Sequence, residues 1–283
     1  MTSPSELASH LLDRLGIQGK PDLVQVAQRI GLRIVEVDAE AFDGSLVRAL
    51  DGPKGIVAVK QSLREISRKR FTIAHEIGHY LIPSHRNLEN VCTGGMIESW
   101  QKGLNKPELE ANEFAVELLL PTRYVREPLQ LNDPSLKTIG RVASQFETSL
   151  TATTLRFVSL TDLPCVAVWS EGRRARWYRR SDAFPFYLSK EILPCDGSFA
   201  YGLFEGSNAP DDFAEIPAET WLDRQDADRV VRVLEHSIGL PNYDAVLTLL
   251  QFELKDVGDE EDPPNIEDLD PEDFTVRRKR WPR

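Results

Sequence analysis

Residues 70–85 read Arg-Phe-Thr-Ile-Ala-His-Glu-Ile-Gly-His-Tyr-Leu-Ile-Pro-Ser-His, an apolar stretch that carries three histidines and a glutamate. Its apolar spacing predicts a buried helix, on which His75 and His79 share one face, one turn apart. Two neutral imidazoles at that spacing can hold a Zn²⁺, and Glu76 beside them can act as a general base on water. Burying three such polar side chains is costly unless they have a partner. The stretch therefore predicts a metal site rather than a helix with incidental polar residues.

Composition limits the class of protein. The 283 residues, 41% hydrophobic and 28% charged, fit a globular chain of about two domains. The net charge of −11 argues against tight non-specific DNA binding, which needs clustered basic residues. Three cysteines argue against a disulfide framework and favour a reducing compartment. With no apolar run long enough to cross a bilayer and no signal peptide, we expect a cytoplasmic protein without a membrane partner.

The first 160 residues predict helices and a small sheet around the H-E-x-x-H helix. The last two predicted helices have the rhythm of a helix-turn-helix, but the second has a single basic residue, Arg156, so we favour a helical cap. The predicted strands are Leu32–Val37, Gly44–Ala49 and Gly55–Val59. The other predicted helices lie within residues 4–31, with Ser5 as N-cap, from Pro107 to Pro121, and at residues 136–146 and 151–160.

The pattern changes near residue 163 from predicted helices to predicted strands. Cys165–Trp169 and Ala175–Arg179 predict a hairpin, followed by strand-like pieces, a helix near Ala227–Ser237 and an apolar run over Tyr243–Leu254. The arginines and aromatic residues of the hairpin could contact nucleic acid or an acidic ligand. They could equally form a solvated edge strand, the interpretation we favour.

A catalytic zinc needs a third protein ligand and an open position. His85 has the offset found in the H-E-x-x-H-x-x-G-x-x-H pattern. That pattern requires a glycine where Ile82 stands and a methionine turn well downstream, whereas the internal methionine is the nearby Met96. His85 is therefore the weaker candidate.

Glu108 is the stronger candidate. It opens the second helix, and Asn112 lies one turn later on the same face, where an amide can orient a ligating histidine. Glu110 and Glu113 are alternatives on the same helix, but we expect them to face elsewhere. Glu108 could also be a first-turn carboxylate stabilised by the helix dipole.

The two motifs together resemble the ImmA/IrrE metallopeptidases over about residues 1–160: Arg70-Phe-Thr-Ile-Ala-His-Glu-Ile-Gly-His, then Glu108-x-Glu-Ala-Asn-x-Phe-Ala-x-Glu-Leu-Leu-Leu-Pro. The resemblance implies a Zn²⁺ held by His75, His79 and Glu108, with Glu76 as base, in a thermolysin-like minimal zincin core. It implies as substrate a helix-turn-helix repressor encoded nearby, whose cleavage switches on phage, mobile-element, anti-phage defence or DNA-damage genes. Some members carry a C-terminal GAF-like sensor domain.

We therefore expect an α+β chain in four parts. These are a zinc metallopeptidase core at 1–134, a helical, helix-turn-helix-like cap at 135–162, an α+β domain at 163–255 that could be GAF-like, and an acidic disordered tail at 256–283. The C-terminal domain could receive a small-molecule or nucleic-acid activator. The alternative function is a ligand- or DNA-binding regulator with a structural or vestigial metal site, against which the intact general base counts.

Two further residues are candidates near the centre. Cys92 lies in the loop after the H-E-x-x-H helix, and its thiolate could fill the open zinc position and hold the enzyme inactive. It could equally be a small semi-buried thiol. Tyr124, just past the second helix, is the candidate oxyanion donor.

Overall fold

The computed structural model describes residues 2–49, 54–86, 105–132, 134–188 and 196–255, and the backbone of residues 90–92. The fold is α+β, as predicted. The helices are α1 (Pro4–Leu15), α2 (Leu23–Arg29), α3 (Ile66–Leu81), α4 (Lys106–Leu119), α5 (Thr122–Leu129), α6 (Leu136–Phe146), α7 (Leu150–Val158), α8 (Phe199–Phe204) and α9 (Arg224–Ala227). The strands are β1 (Leu32–Val37), β2 (Gly44–Arg48), β3 (Gly55–Lys60), β4 (Asn90–Cys92), β5 (Cys165–Glu171), β6 (Arg174–Arg180), β7 (Ala214–Ile216), β8 (Val230–Leu240) and β9 (Ala245–Leu254). The expected acidic tail lies outside the described residues.

The first sheet supports the H-E-x-x-H helix. Its strand order is β1-β3-β2-β4, with β1 and β3 parallel and the other pairs antiparallel. Helix α3 packs on this sheet with one side and along α4 with another, and α1 packs on α4. Ile77, Phe114 and Leu118 are fully buried where these helices meet. Gly78 allows the close approach of α3 to α4, because a Cβ there would lie 3.1 Å from the Phe114 ring.

The start of α1 differs from the prediction by two residues. The N-cap is Ser3 rather than Ser5: the Ser3 hydroxyl accepts a bond from Glu6 N, and the Glu6 carboxylate accepts one from Ser3 N. This reciprocal pair is a capping box, which needs Ser and Glu three residues apart. Pro4, with no N–H to satisfy, occupies the first helical position.

Helices α5, α6 and α7 cover one face of a second sheet. Leu129, Phe146 and Phe157 are fully buried against Leu247 and Leu249 of β9. The sequence pattern does not predict helix α5, which begins directly after Pro121. The pair α6 and α7 matches the two predicted helices to within two residues.

The single basic residue of α7 is used inside the protein. Arg156 pairs with Glu117 of α4, and its Nε donates to Leu120 O at 3.2 Å. Both charged side chains are largely buried, at 10% and 5% exposure. This contact joins α7 to the end of α4, so Arg156 serves packing between helices rather than an exposed recognition surface.

The second sheet has strand order β6-β5-β9-β8-β7 and is antiparallel throughout. The predicted hairpin is confirmed as β5 and β6. The predicted helix near Ala227–Ser237 is wrong: helix α9 is one turn long, and Val230–Leu240 is a strand paired with both β7 and β9. These pairings form between distant segments and override the local pattern. No helix in the part of the chain given above is long and apolar enough to span a bilayer.

Candidate metal centre

Two histidines of α3 and one glutamate of α4 bring three ligand atoms together. The Nε2 atoms of His75 and His79 are 3.0 Å apart. Glu108 Oε2 lies 3.1 Å from His75 Nε2, and its Oε1 lies 3.4 Å from His79 Nε2. Both imidazoles are fully buried and the Glu108 side chain is 12% exposed. The helical repeat of α3 and the packing of α3 on α4 thus collect two nitrogens and one carboxylate at a single point.

This donor set fits a single divalent metal ion. Ligand atoms about 2.0–2.1 Å from a tetrahedral ion lie roughly 3.3–3.4 Å from one another. The observed separations of 3.0 to 3.4 Å come close to that spacing before any ion is considered. Imidazole nitrogen and carboxylate oxygen are also the donors that such ions take in proteins.

Glu108 opens α4 and is held in place by the helix start. Asn105 is the N-cap, and its side-chain oxygen accepts a hydrogen bond from Glu108 N at 3.1 Å. Burial by itself would raise the pKa of the Glu108 carboxyl, but in the metal-free cluster the neighbouring imidazoles of His75 and His79 outweigh it and lower the pKa to about 2. The carboxylate is therefore anionic at neutral pH and suited to binding a cation.

Asn112 orients the first histidine, in the arrangement expected from its spacing. Its Oδ1 lies 2.8 Å from His75 Nδ1, and both residues are buried. A carbonyl oxygen can only accept, so the proton of His75 sits on Nδ1. The Nε2 lone pair of His75 then points toward His79 and Glu108, where a metal ion would use it.

His85 lies behind His79 rather than among the three ligand atoms. A single 3-10 turn, Pro83–His85, folds the chain back after α3 and buries the imidazole completely. His85 Nδ1 is 3.0 Å from His79 Nδ1, and His85 Nε2 is 2.9 Å from Glu110 Oε2. Glu110 faces away from the three ligand atoms, as expected, but its carboxylate contacts His85, which the sequence did not indicate. Glu113 does face elsewhere, where it accepts a bond from the Ser5 hydroxyl at 2.8 Å.

Glu76 lies beside the ligands on α3 and is fully buried. It packs against Gly44 of β2, where a Cβ atom would come within 2.9 Å of Glu76 Oε1 and would overlap the Thr72 methyl group. Strand β2 can therefore approach the helix only because residue 44 has no side chain. The role of Gly44 cannot be read from the sequence, because its partners on α3 are distant in the chain.

The two remaining candidates have different outcomes. The Tyr124 hydroxyl donates to Ile17 O at 3.2 Å, in the contact of α5 with the end of α1, and it takes part in none of the cluster contacts given above. The backbone of Cys92 pairs with Gly44 in the first sheet. The Cys92 side chain lies outside the described residues.

Comparisons with known proteins agree on the N-terminal part. Residues 27–157 match the family model of the IrrE N-terminal-like domain, Peptidase M78. The radiation response metalloprotease IrrE of Deinococcus radiodurans is 24% identical over 174 residues, which are 58% of this chain and 51% of that protein. The chain thus spans about half the length of this relative. A solved Mycobacterium tuberculosis transcriptional regulator has a similar fold, with a TM-score of 0.51, 14% identity, and coverage of 88% of this chain and 87% of that one.

Proposed function

We propose, from the match of residues 27–157 to the IrrE N-terminal-like domain, that the chain is a member of the ImmA/IrrE family and a zinc-dependent endopeptidase acting on a helix-turn-helix transcriptional repressor. Cleavage would derepress stress, DNA-damage, mobile-element or anti-phage defence genes. The observation that carries the proposal is the buried cluster of His75, His79 and Glu108, with the buried Glu76 next to His75 on α3. Three protein ligands leave the fourth position that a catalytic zinc site keeps open.

The proposed ligands are His75, His79 and Glu108. When bound there, zinc would act as a Lewis acid on the scissile carbonyl and make water a stronger acid near neutral pH. The two histidines would face the ion through Nε2, because their Nδ1 atoms are taken up by Asn112 and His85. The carboxylate of Glu108 would balance part of the ion's charge.

Glu76 is the proposed general base. It would take a proton from the attacking water and return it to the leaving amine. Glu108 cannot fill that role, since its carboxylate is a proposed ligand of the ion. His75 also cannot, because one of its nitrogens is protonated and the other is a proposed ligand. Glu76 is the carboxylate of α3 itself and directly follows the proposed ligand His75 in the sequence.

The names of the similar proteins support a role in gene regulation. The relative is called a radiation response metalloprotease, and the protein of similar fold is called a transcriptional regulator. A protease that cleaves a repressor would be both a metalloprotease and a regulator of transcription. The second of these names also favours an alternative, a ligand- or DNA-binding regulator in which the metal site is structural. Structural zinc sites usually have four protein ligands, whereas the cluster offers three among the residues that the structure describes.

The test uses the full-length chain, wild type and Glu76→Gln, each loaded with zinc. Both proteins are incubated with the helix-turn-helix repressor encoded beside the gene, and products are identified by intact-mass spectrometry. Glu113→Gln, a carboxylate of α4 that faces Ser5, is the matched control. We expect about one zinc per chain in all three and cleavage by wild type and Glu113→Gln only. Zinc binding by wild type with no cleavage would contradict the protease and favour the regulator.

A further inference from the structure

His85 and Glu110 have no part in the chemistry proposed above, yet both are built into the centre. We propose that they form a positioning relay, in which Glu110 holds His85 and His85 fixes the ring orientation and tautomer of His79, and that this relay sets the affinity for the metal. The inference rests on the proposed metal centre. It assigns His85, the weaker of the two candidates for the third ligand in the sequence analysis, to a different role.

The direction of the hydrogen bonds follows from the proton count. For His79 to offer a lone pair at Nε2, its proton must be on Nδ1, which lies 3.0 Å from His85 Nδ1. His85 Nδ1 must then accept, and the neutral ring carries its own proton on Nε2. That Nε2 lies 2.9 Å from Glu110 Oε2, a carboxylate that can only accept while ionised. Each ring nitrogen of His79 and His85 thus acts either as donor or as acceptor, and these assignments are consistent from His79 to Glu110.

Burial makes this arrangement specific. His79 and His85 are both fully buried, so water cannot replace a missing partner at either Nδ1. Arg48 of β2 donates to His79 O and to Tyr80 O, which fixes the end of α3 from which the His85 turn departs. His85 N donates to Ile82 O at 3.0 Å and closes that turn. The ring of His85 is therefore held from the backbone side as well as by Glu110.

The two metal-facing histidines are supported unequally. His75 donates to the neutral amide of Asn112, whereas His79 donates to an imidazole backed by a carboxylate. The charged carboxylate of Glu110 makes a stronger hydrogen bond to His85 than a neutral acceptor would, and it increases the basicity of His85 Nδ1, which accepts from His79. Glu110 stands at the outer end of this chain, 23% exposed, with Lys106 at 3.5 Å. The relay thus connects the inner ligand His79 to the surface.

Four variants separate positioning from packing. His85→Phe fills the buried space and removes both hydrogen bonds. His85→Asn places Oδ1 where Nδ1 stands and keeps the acceptor for His79. Glu110→Gln removes the charge at the outer end. Glu113→Gln is the matched control, because Glu113 lies on the same helix, α4, but bonds Ser5 of α1.

The measurements are the zinc dissociation constant by chelator competition, the unfolding temperature of the metal-free protein, and the histidine ¹H–¹⁵N spectrum of the zinc-loaded wild type. We expect His85→Phe to weaken zinc binding by roughly 10- to 100-fold, His85→Asn to restore most of it, and Glu110→Gln to have a smaller effect. Glu113→Gln should bind like wild type. The chain has five histidines, so the spectrum can be assigned by single substitutions, and His85 should carry its proton on Nε2.

Three results would overturn the relay: wild-type affinity in His85→Phe, equal losses in His85→Asn and His85→Phe that track their unfolding temperatures, or a His85 proton on Nδ1. The spectrum needs no variant, so the inference can fail even if a substitution unfolds the protein. Absence of zinc binding by wild type would refute the proposed metal centre and the relay with it. Zinc binding by wild type with an unchanged His85→Phe would refute the relay alone.

Discussion

Gly44 of β2 lies directly against Glu76 of α3, so close that a Cβ at residue 44 would come within 2.9 Å of Glu76 Oε1. The sheet therefore forms one wall around the proposed general base. Because the Glu76 carboxylate is fully buried, its orientation depends on the groups packed around it. One of these is Gly44, whose lack of a side chain leaves room for the carboxylate. The first sheet thus positions the base as well as supporting α3.

We predict that Gly44→Ala lowers kcat/KM about 100-fold, because a displacement of order 1 Å in a reacting group has that cost. Zinc affinity should fall much less, since none of the three proposed ligands touches the added methyl group in the contacts given for residue 44. The control is Gly239→Ala in β8, where a Cβ would meet nothing within 4 Å. Wild-type kcat/KM in Gly44→Ala would show that the orientation of Glu76 does not depend on this wall.

Asn112 gives a second prediction. Asn112→Leu keeps the side-chain size but removes the acceptor of the His75 Nδ1 proton, so zinc affinity should fall roughly 10- to 100-fold. Asn112→Asp retains an acceptor oxygen and should bind zinc far better than the leucine variant. Chelator competition measures both. Equal zinc affinities of the two variants would show that metal binding does not depend on the Asn112–His75 hydrogen bond.

The buried ion pair between Glu117 and Arg156 predicts a large effect on stability. Removing one partner of a buried pair leaves the other charge uncompensated and costs about 3–5 kcal/mol. Glu117→Ala should lower the free energy of unfolding by this amount in chemical denaturation. Asp13→Ala, which removes the partner of Arg123 in an exposed pair, should cost about 1 kcal/mol or less. Similar losses in the two variants would mean that the Arg156 contact does not hold α7 to α4.

Cys165 should be chemically inert in the folded protein. Burial raises the pKa of its thiol to about 12, against the opposing effect of a hydrogen bond with Ser181. The thiolate that reacts with disulfide reagents is then almost absent at mildly alkaline pH. In a Cys92→Ser/Cys195→Ser chain, we expect no labelling of the native protein and complete labelling after denaturation. Rapid labelling of the native chain would place this thiol outside the core.

The sequence predicts the residues of the candidate site where they lie on one helix. The spacing of His75 and His79 gives a shared face on α3, and the step from Glu108 to Asn112 gives another on α4, because both depend only on the helical repeat. Strand β8 was mistaken for a helix because its state is decided by pairing with β7 and β9. Local patterns do not contain such non-local pairings.

His85 shows the same limit at the scale of one side chain. Its distance in sequence from His79 matched a ligand pattern, but the turn at Pro83 directs its ring to the Nδ1 side of His79. Glu110 was set aside because it is two residues from Glu108 and so points in another direction on α4. That other direction leads to His85, which only the three-dimensional arrangement reveals.

The most direct test of the metal centre is anomalous scattering at the zinc absorption edge from crystals equilibrated with zinc. The account predicts one peak, about 2.0–2.2 Å from Nε2 of His75, Nε2 of His79 and a carboxylate oxygen of Glu108, with His85 beyond ligand distance. A peak coordinated by His85, or no peak at this cluster in zinc-equilibrated crystals, would contradict it.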